Sequence, residues 1–256
     1  MRSFFTQIKA ILLLVALFTM FIPLCLMVIP FGLKRRLKIT CPVWQWGCDI
    51  MLRYGCEMKI DVSEDHRSSE FRGIPAYGLY VANHQSYIDI PMIITKYQVP
   101  PIMKKEVLYI PFVGLLGWIC GAMPVSRSQQ GSRKRVFIQT KERILNERIG
   151  VQVYPEGTRS KTAHPKTTEE IKRTLMVFAW NEKIPVIPTS IYGTRGILSA
   201  KGAIQPGRHA GIIVHKEIRP EDYSTAEEFA RACWGKVIEG YDQMRTQLEP
   251  LNKSLS

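Results

Sequence analysis

Residues 78–93 read GLYVANHQSYIDIPMI, an apolar stretch followed by a polar loop and a second apolar stretch. The run from Gly78 to Ala82 predicts a short β-strand, because it is apolar and ends at a polar asparagine. Asn83 and Ser86 are residue types that cap the start of a helix. We therefore expect a strand, a loop and a helix whose apolar side chains enter the core: Ile88, Ile90, Met92 and Ile93.

Within this unit His84 precedes Asp89 by five residues. On a regular helix this spacing separates two side chains by roughly 140°, so the pair meets only if the backbone turns between them. The expected unit supplies that turn, with His84 in the loop and Asp89 in the first helical turn. A neutral imidazole backed by a carboxylate is a general base for an alcohol. The spacing also fits a surface histidine and an aspartate favoured by the helix dipole.

A second strand-like run, Gly150 to Tyr154, ends in the sequence PEGTRS at residues 155–160. Pro155 and Gly157 predict a tight turn, in which glycine is free to take a positive φ. Arg159 then projects from the turn, and its guanidinium fork suits a phosphate monoester. The alternative is an ordinary turn with a Glu–Arg salt bridge.

Together these stretches carry a resemblance to a family. Residues 83–89 and 156–159 resemble the first and third motifs of the glycerolipid acyltransferases, most closely of the 1-acyl-glycerol-3-phosphate acyltransferases. The second motif, a glycine followed six residues later by an arginine, is similar to residues 121–127. The fourth, an apolar strand containing proline, is similar to residues 184–188, and all four occur in the family's order.

The resemblance implies an α/β fold, with a mixed β-sheet flanked by helices. It implies transfer of a fatty acyl group from acyl carrier protein or coenzyme A to the sn-2 hydroxyl of 1-acyl-glycerol-3-phosphate (lysophosphatidic acid), giving phosphatidic acid. His84 would be the general base and Asp89 the residue that orients and charges it, as in a Ser-His-Asp triad. Neither a covalent acyl-enzyme nor a cofactor is expected.

By the same resemblance Arg127, Glu156, Gly157 and Arg159 form the site for the acceptor's phosphate. The arginines fit that role, since a dianionic phosphate attracts bidentate donors. Glu156 cannot bind phosphate, so we expect it to orient an arginine or the turn. Lys105, which precedes an apolar loop, is a further candidate for the same pocket, and a solvated lysine is the alternative.

Two alternatives remain. Residues 124–127 and 171–174 depart from the family's usual pattern, which leaves other lysolipid acceptors open. A catalytically silent membrane-surface binding protein of the same fold is the other alternative. It predicts loss of His84 or Asp89, and both residues are present.

The N-terminal region is strongly apolar. No charged residue lies between Ala10 and Leu33, and about 24 residues at 1.5 Å each give roughly 36 Å of helix, enough to cross a bilayer core. Pro23 and Pro30 disfavour a straight span, so one apolar helix and a re-entrant helix pair both remain open. We expect residues 1–59 to form a membrane anchor and residues 60–256 to form the acyltransferase catalytic domain.

The chain carries 35 basic and 22 acidic residues, a net charge of +13. A basic cluster directly follows the apolar run (Lys34, Arg35, Arg36 and Lys38), which predicts a catalytic domain on the cytoplasmic side, at the inner membrane if the protein is bacterial. Because the charge is spread along the chain and no nucleic-acid motif is recognisable, we expect membrane lipid, lysophosphatidic acid and an acyl carrier as anionic partners, and no nucleic acid. The six cysteines lack C-x-x-C spacing, so no metal site is predicted.

Overall fold

The computed structural model describes residues 2–61, 77–110, 113–126, 130–160, 162, 164–198 and 203–254. Within these residues the strands are β1 (Lys59–Asp61), β2 (Leu79–Ala82), β3 (Ile102–Lys104), β4 (Met123–Val125), β5 (Val151–Val153), β6 (Val186–Tyr192) and β7 (His209–Val214). The α-helices are α1 (Arg2–Val28), α2 (Leu33–Ile50), α3 (Asp89–Ile94), α4 (Val113–Ile119), α5 (Gln130–Lys141), α6 (Thr174–Asn181), α7 (Thr194–Ile197) and α8 (Ala226–Lys253).

Five strands form one mixed sheet in the order β1-β7-β6-β2-β5. The central strand β2 runs parallel to both of its neighbours, β5 and β6, whereas β6 and β7 are antiparallel. Every residue of β2 and β5 is buried, as expected for parallel strands that are covered on both faces. The mixed sheet flanked by helices confirms the fold class implied by the sequence.

The sheet brings the two motif-bearing loops together. Residues 83–88 follow the carboxyl end of β2, and residues 154–160 follow the carboxyl end of the adjacent parallel strand β5. Because parallel strands end at the same edge of a sheet, both loops open onto one side of the molecule. The segment after β6 joins them at that edge.

The N-terminal region forms a helix pair, which we call the N-terminal hairpin: α1, the turn at residues 29–32, and α2. Pro23 lies inside α1, and Pro30 lies in the turn. Within Ser3–Val28 the most apolar 18-residue window has a mean hydropathy of 2.9 and is 22% buried, so α1 is long and apolar enough to cross a membrane. Two helices joined by a short turn thus form this end of the chain.

The hairpin packs directly against the sheet. Ala10 of α1 and Leu52, just after α2, share a buried apolar cluster with Tyr80 and Ala82 of β2. The far end of α1 packs on α4, where Cys25 and Ile119 are buried together. The hairpin therefore contributes to the same core as the strand that carries the histidine loop.

Candidate active site

His84 and Asp89 form a hydrogen-bonded pair at the carboxyl end of β2. Their Nδ1 and Oδ2 atoms are 2.7 Å apart, and the Asp89 side chain is fully buried. The same Oδ2 accepts hydrogen bonds from the backbone N–H groups of Gln85 (2.6 Å) and Ser86 (2.9 Å). The predicted placement of His84 in the loop and Asp89 in the first turn of α3 is confirmed.

The other carboxylate oxygen of Asp89 is held from a distant part of the chain. Thr194 Oγ1 donates to Asp89 Oδ1, and Thr194 is fully buried at the start of α7. Gly193, just before it, has a φ of +85°, and a Cβ there would lie 2.5 Å from the carbonyl oxygen of His209. Thr194 was not among the residues predicted from the sequence. The usable signal was a Gly-Thr pair directly after the proline-containing strand.

Asn83 ties β2 to β6 and does not cap α3. Its Nδ2 donates to the carbonyl of Ile191, and its Oδ1 accepts the N–H of Ile191, both at 2.8 Å. The predicted cap by Asn83 is therefore wrong. The N-cap position is Ile88, which lacks a side-chain cap, and the carboxylate of Asp89 takes the nearby loop N–H groups instead.

Glu156 links the two motif-bearing loops through backbone amides. Its Oε2 accepts the N–H of His84 at 2.9 Å, and its Oε1 accepts the N–H of Lys166 at 3.0 Å. Burial raises the pKa of the Glu156 carboxyl, and these two hydrogen bonds oppose that rise. A second link runs from Ser160 N–H to the carbonyl of His84 at 2.7 Å. The geometry thus places Glu156 in support of the loop that carries His84.

Tyr154, at the end of β5, stacks on the imidazole of His84 with ring centroids 4.4 Å apart and planes inclined by 28°. Burial raises the pKa of Tyr154 well above its usual value, so its phenol stays neutral. Stacking on one face and the Asp89 bond at Nδ1 together fix the plane of the histidine ring.

The His84 ring forms part of the wall of a cavity of about 1750 Å³. Most of the wall is apolar and comes from the hairpin, α3, α4 and the neighbouring turns. Basic side chains in the wall are Lys104, Lys134, Arg159 and Lys172. Such a mixture suits a ligand with a long hydrocarbon chain and a small anionic group.

Of the residues predicted for the phosphate site, Gly157 and Arg159 lie in the cavity wall with His84. Gly157 has a φ of +69°, which confirms the predicted glycine turn, and the Arg159 guanidinium lies 4.0 Å over the ring of Tyr87. Arg127 falls outside the described residues.

The structure does not bring Lys105 into this wall. Lys105 begins a single 3₁₀ turn, Lys105–Tyr109, with its side chain exposed. The preceding residue, Lys104, ends β3 and lines the cavity instead.

The sequence profile of the Acyltransferase family matches residues 60–192, more than half of the chain. The chain belongs to the Acyltransferase family. The His84–Asp89 pair and both motif-bearing loops lie inside the matched range.

Two relatives are named 1-acyl-sn-glycerol-3-phosphate acyltransferases. The Escherichia coli (strain K12) protein is 26% identical over 153 residues, which cover 58% of this chain and 59% of that one. The alpha form from Mus musculus is 30% identical over 132 residues, which cover 50% of this chain and 45% of that one. The chain thus matches about half of each relative's length.

The crystal structure of the 1-acyl-sn-glycerophosphate (LPA) acyltransferase PlsC from Thermotoga maritima has the same fold. It superimposes with a TM-score of 0.76, covering 95% of this chain and 96% of that one at 19% identity. The likeness extends over the hairpin as well as the sheet, since nearly the whole chain is covered.

Proposed function

We propose that this acyltransferase transfers a fatty acyl group from acyl-CoA or acyl carrier protein to the sn-2 hydroxyl of 1-acyl-glycerol-3-phosphate, giving phosphatidic acid. One observation carries the proposal: His84, paired with buried Asp89, lies in the wall of a large apolar cavity that also contains Arg159 and Lys172. The names of the Escherichia coli and mouse relatives support the same acceptor.

The proposed reaction mechanism follows from the hydrogen bond between His84 and Asp89. With Nδ1 bonded to Asp89, His84 uses Nε2 to take the proton of the acceptor hydroxyl while that oxygen attacks the thioester carbonyl. Asp89 stabilises the imidazolium that forms. The tetrahedral intermediate then collapses with cleavage of the C–S bond, and the leaving thiolate takes the proton back from His84. The base returns to its neutral form.

Direct transfer, without an acyl-enzyme, is part of the proposal. Cys120 lies in the cavity wall, and burial raises the pKa of its thiol to about 12. A thiol with so high a pKa is protonated at neutral pH and is a poor nucleophile.

The acceptor's phosphate is assigned to the basic part of the cavity wall. Arg159 leaves the Gly157 turn and is held over Tyr87, while Lys172 approaches the same turn. Arg127 remains part of the proposed phosphate site on the family resemblance alone. Glu156 acts through the backbone of the loop that carries His84.

The N-terminal hairpin is proposed to hold the protein in a membrane. Apolar side chains of α1 are exposed over much of its length, among them Phe4, Phe5, Leu12 and Met27. Removing such surface from water is favourable at a bilayer. The basic cluster at residues 34–38 suits anionic headgroups and favours the cytoplasmic side.

The test uses the full chain in phospholipid vesicles, with release of free thiol from acyl-CoA or acyl carrier protein as the readout. We expect release to require lysophosphatidic acid, to vanish in His84→Ala and to fall strongly in Asp89→Asn, while lipid binding survives. His164→Ala is the matched control, because His164 pairs with Asp242 at 3.0 Å outside the cavity wall. Undiminished turnover in His84→Ala would remove the mechanism, and dependence on a different lysolipid would replace the acceptor.

A further inference from the structure

A second apolar region in the chain is not explained by the hairpin or by the catalytic pair. The sequence carries no charged residue between Glu106 and Arg127. Its described part includes residues 107–110, which are the end of the 3₁₀ turn and the residue after it, and α4. We call these two pieces the rim segment. They pack tightly, because a Cβ on Gly114 would overlap the carbonyl oxygen of Leu108.

The rim segment has two apolar sides. One side forms part of the cavity wall, through Val107, Ile110, Val113, Leu116 and Gly117. The other side faces outward, with Tyr109 80% exposed, Trp118 54% exposed and Leu115 38% exposed. Large aromatic side chains clustered on an exposed apolar surface mark a contact site, and tyrosine and tryptophan favour the headgroup layer of a membrane. The segment therefore carries residues that line the cavity and, outside the wall, exposed aromatic residues.

The rim segment is continuous with the N-terminal hairpin. Leu116 and Ile119 of α4 pack against Cys25 and Val28 at the end of α1, next to the hairpin turn. A membrane into which the hairpin inserts at this end of α1 would therefore also contact the outward side of α4. Lys105, which is exposed and outside the cavity wall, precedes the segment and suits the phosphates of anionic lipids.

We propose that the rim segment is a second membrane-contacting surface, through which a lipid acceptor passes from the bilayer into the cavity. Its partner is the headgroup layer of a bilayer that contains anionic phospholipid. The proposal rests on the proposed function for the identity of the lipid that passes. The contact itself rests on the exposure of Tyr109 and Trp118 and on the packing of α4 against α1.

The first experiment measures contact without using activity. Full-length protein is reconstituted in vesicles of phosphatidylcholine and phosphatidylglycerol with bromine at a shallow acyl position, and tryptophan emission is recorded. We expect Trp118→Phe to remove a strongly quenched component. Trp180→Phe is the matched control. Trp180 lies in α6 and packs against a buried apolar cluster, so this variant should lose only emission that bromine does not quench. If Trp118→Phe removes only unquenched emission, the segment faces water and the proposal is overturned.

The second experiment measures passage of the lipid. The double variant Tyr109→Ser/Trp118→Ser changes side chains outside the cavity wall. We expect its rate with long-chain lysophosphatidic acid in vesicles to fall about tenfold, because the loss of two anchoring aromatics weakens the contact. Its rate with a short-chain acceptor dissolved below its micellar concentration should stay unchanged. Leu251→Ser, an exposed apolar position at the end of α8, is the control.

The outcomes separate this proposal from the proposed function. Equal losses with both acceptors would show damage to the cavity and would overturn passage through the rim segment, as would no loss with either. Wild-type protein that is inactive with both acceptors would instead refute the proposed function, and the quenching of Trp118 would still decide whether the segment meets the membrane.

Discussion

Replacing Thr194 by valine tests how the carboxylate of Asp89, which we propose to be catalytic, is held in place. Valine keeps the shape of threonine and removes the hydroxyl that donates to Asp89 Oδ1. The other donors, His84 Nδ1 and two backbone N–H groups, all lie at Oδ2. Thr194→Val therefore removes the hydroxyl donor in α7 that bonds to Oδ1 of this fully buried carboxylate.

The size of the effect follows from the net contribution of a hydrogen bond to a charged group, about 1.5–3 kcal/mol. If this free energy is lost from the productive arrangement of His84 and Asp89, we expect kcat to fall roughly 10- to 100-fold, because about 1.4 kcal/mol corresponds to a factor of ten. Its effect on folding lowers the melting temperature by about 3–12 °C for a chain of this size. The KM for either substrate should stay near its wild-type value, since Thr194 does not line the cavity.

The assay is thiol release under saturating lysophosphatidic acid, alongside thermal unfolding of the same preparations. Thr194→Ser, which keeps the hydroxyl, should recover most of kcat, and a role in packing alone would not predict this recovery. If Thr194→Val keeps wild-type kcat, or if Thr194→Ser is as impaired as Thr194→Val, the carboxylate does not depend on this hydrogen bond.

Three further predictions follow from particular contacts. Burial raises the pKa of Glu156, so the native protein binds the proton of this carboxyl more tightly than the unfolded chain does. The stability of the wild type should therefore fall relative to that of Glu156→Gln as the pH rises from about 4 to 7. A difference in melting temperature that does not depend on pH would contradict the assignment. Arg159→Ala should raise the KM for lysophosphatidic acid roughly 10- to 100-fold and have little effect on kcat. Arg231→Ala, on the exposed face of α8, is the control and should change neither constant. An unaltered KM in Arg159→Ala refutes the phosphate assignment. Gly114→Ala should destabilise the fold by about 1–3 kcal/mol, because the added Cβ overlaps with Leu108. Chemical denaturation measures this loss. Gly131→Ala in α5, where a Cβ meets no atom within 4 Å, is the control and should be neutral or stabilising.

The sequence was sufficient where the deciding contacts are local. The strand before His84, the loop that carries it and the helical turn that begins at Asp89 lie within a dozen residues, and their spacing allowed only one way for the pair to meet. The Gly157 turn was likewise predictable, because its positive φ costs glycine little and costs residues with a Cβ more.

The sequence was insufficient where contacts cross the sheet. Asn83 has the chemistry of a helix cap, yet its amide is paired with Ile191, which lies 108 positions away. Thr194 meets Asp89 across 105 positions, and Glu156 meets the backbone of His84 across 72 positions. Each of these contacts depends on the order of β5, β2 and β6 in the sheet, and spacing along the chain does not reveal that order.

The sequence was also insufficient where the side chains of neighbouring residues differ only in the direction in which they point. Lys104 and Lys105 are equivalent in charge, and the end of β3 places Lys104 in the cavity wall while Lys105 starts the next turn. Ile90 was expected in the core with Ile88 and Met92. It is 39% exposed in the structure and lines the cavity instead.

The N-terminal hairpin has a consequence for protein engineering. Leu17, Phe21 and Trp44 belong to the same cavity wall as His84, so the helices help to shape the proposed reaction chamber. Trimming the chain at residue 60 would open that chamber along one side. A chimaera that exchanged the hairpin for a relative's would transplant part of the relative's interior, and any resulting change in fatty-chain preference would then trace to residues far from the histidine in sequence.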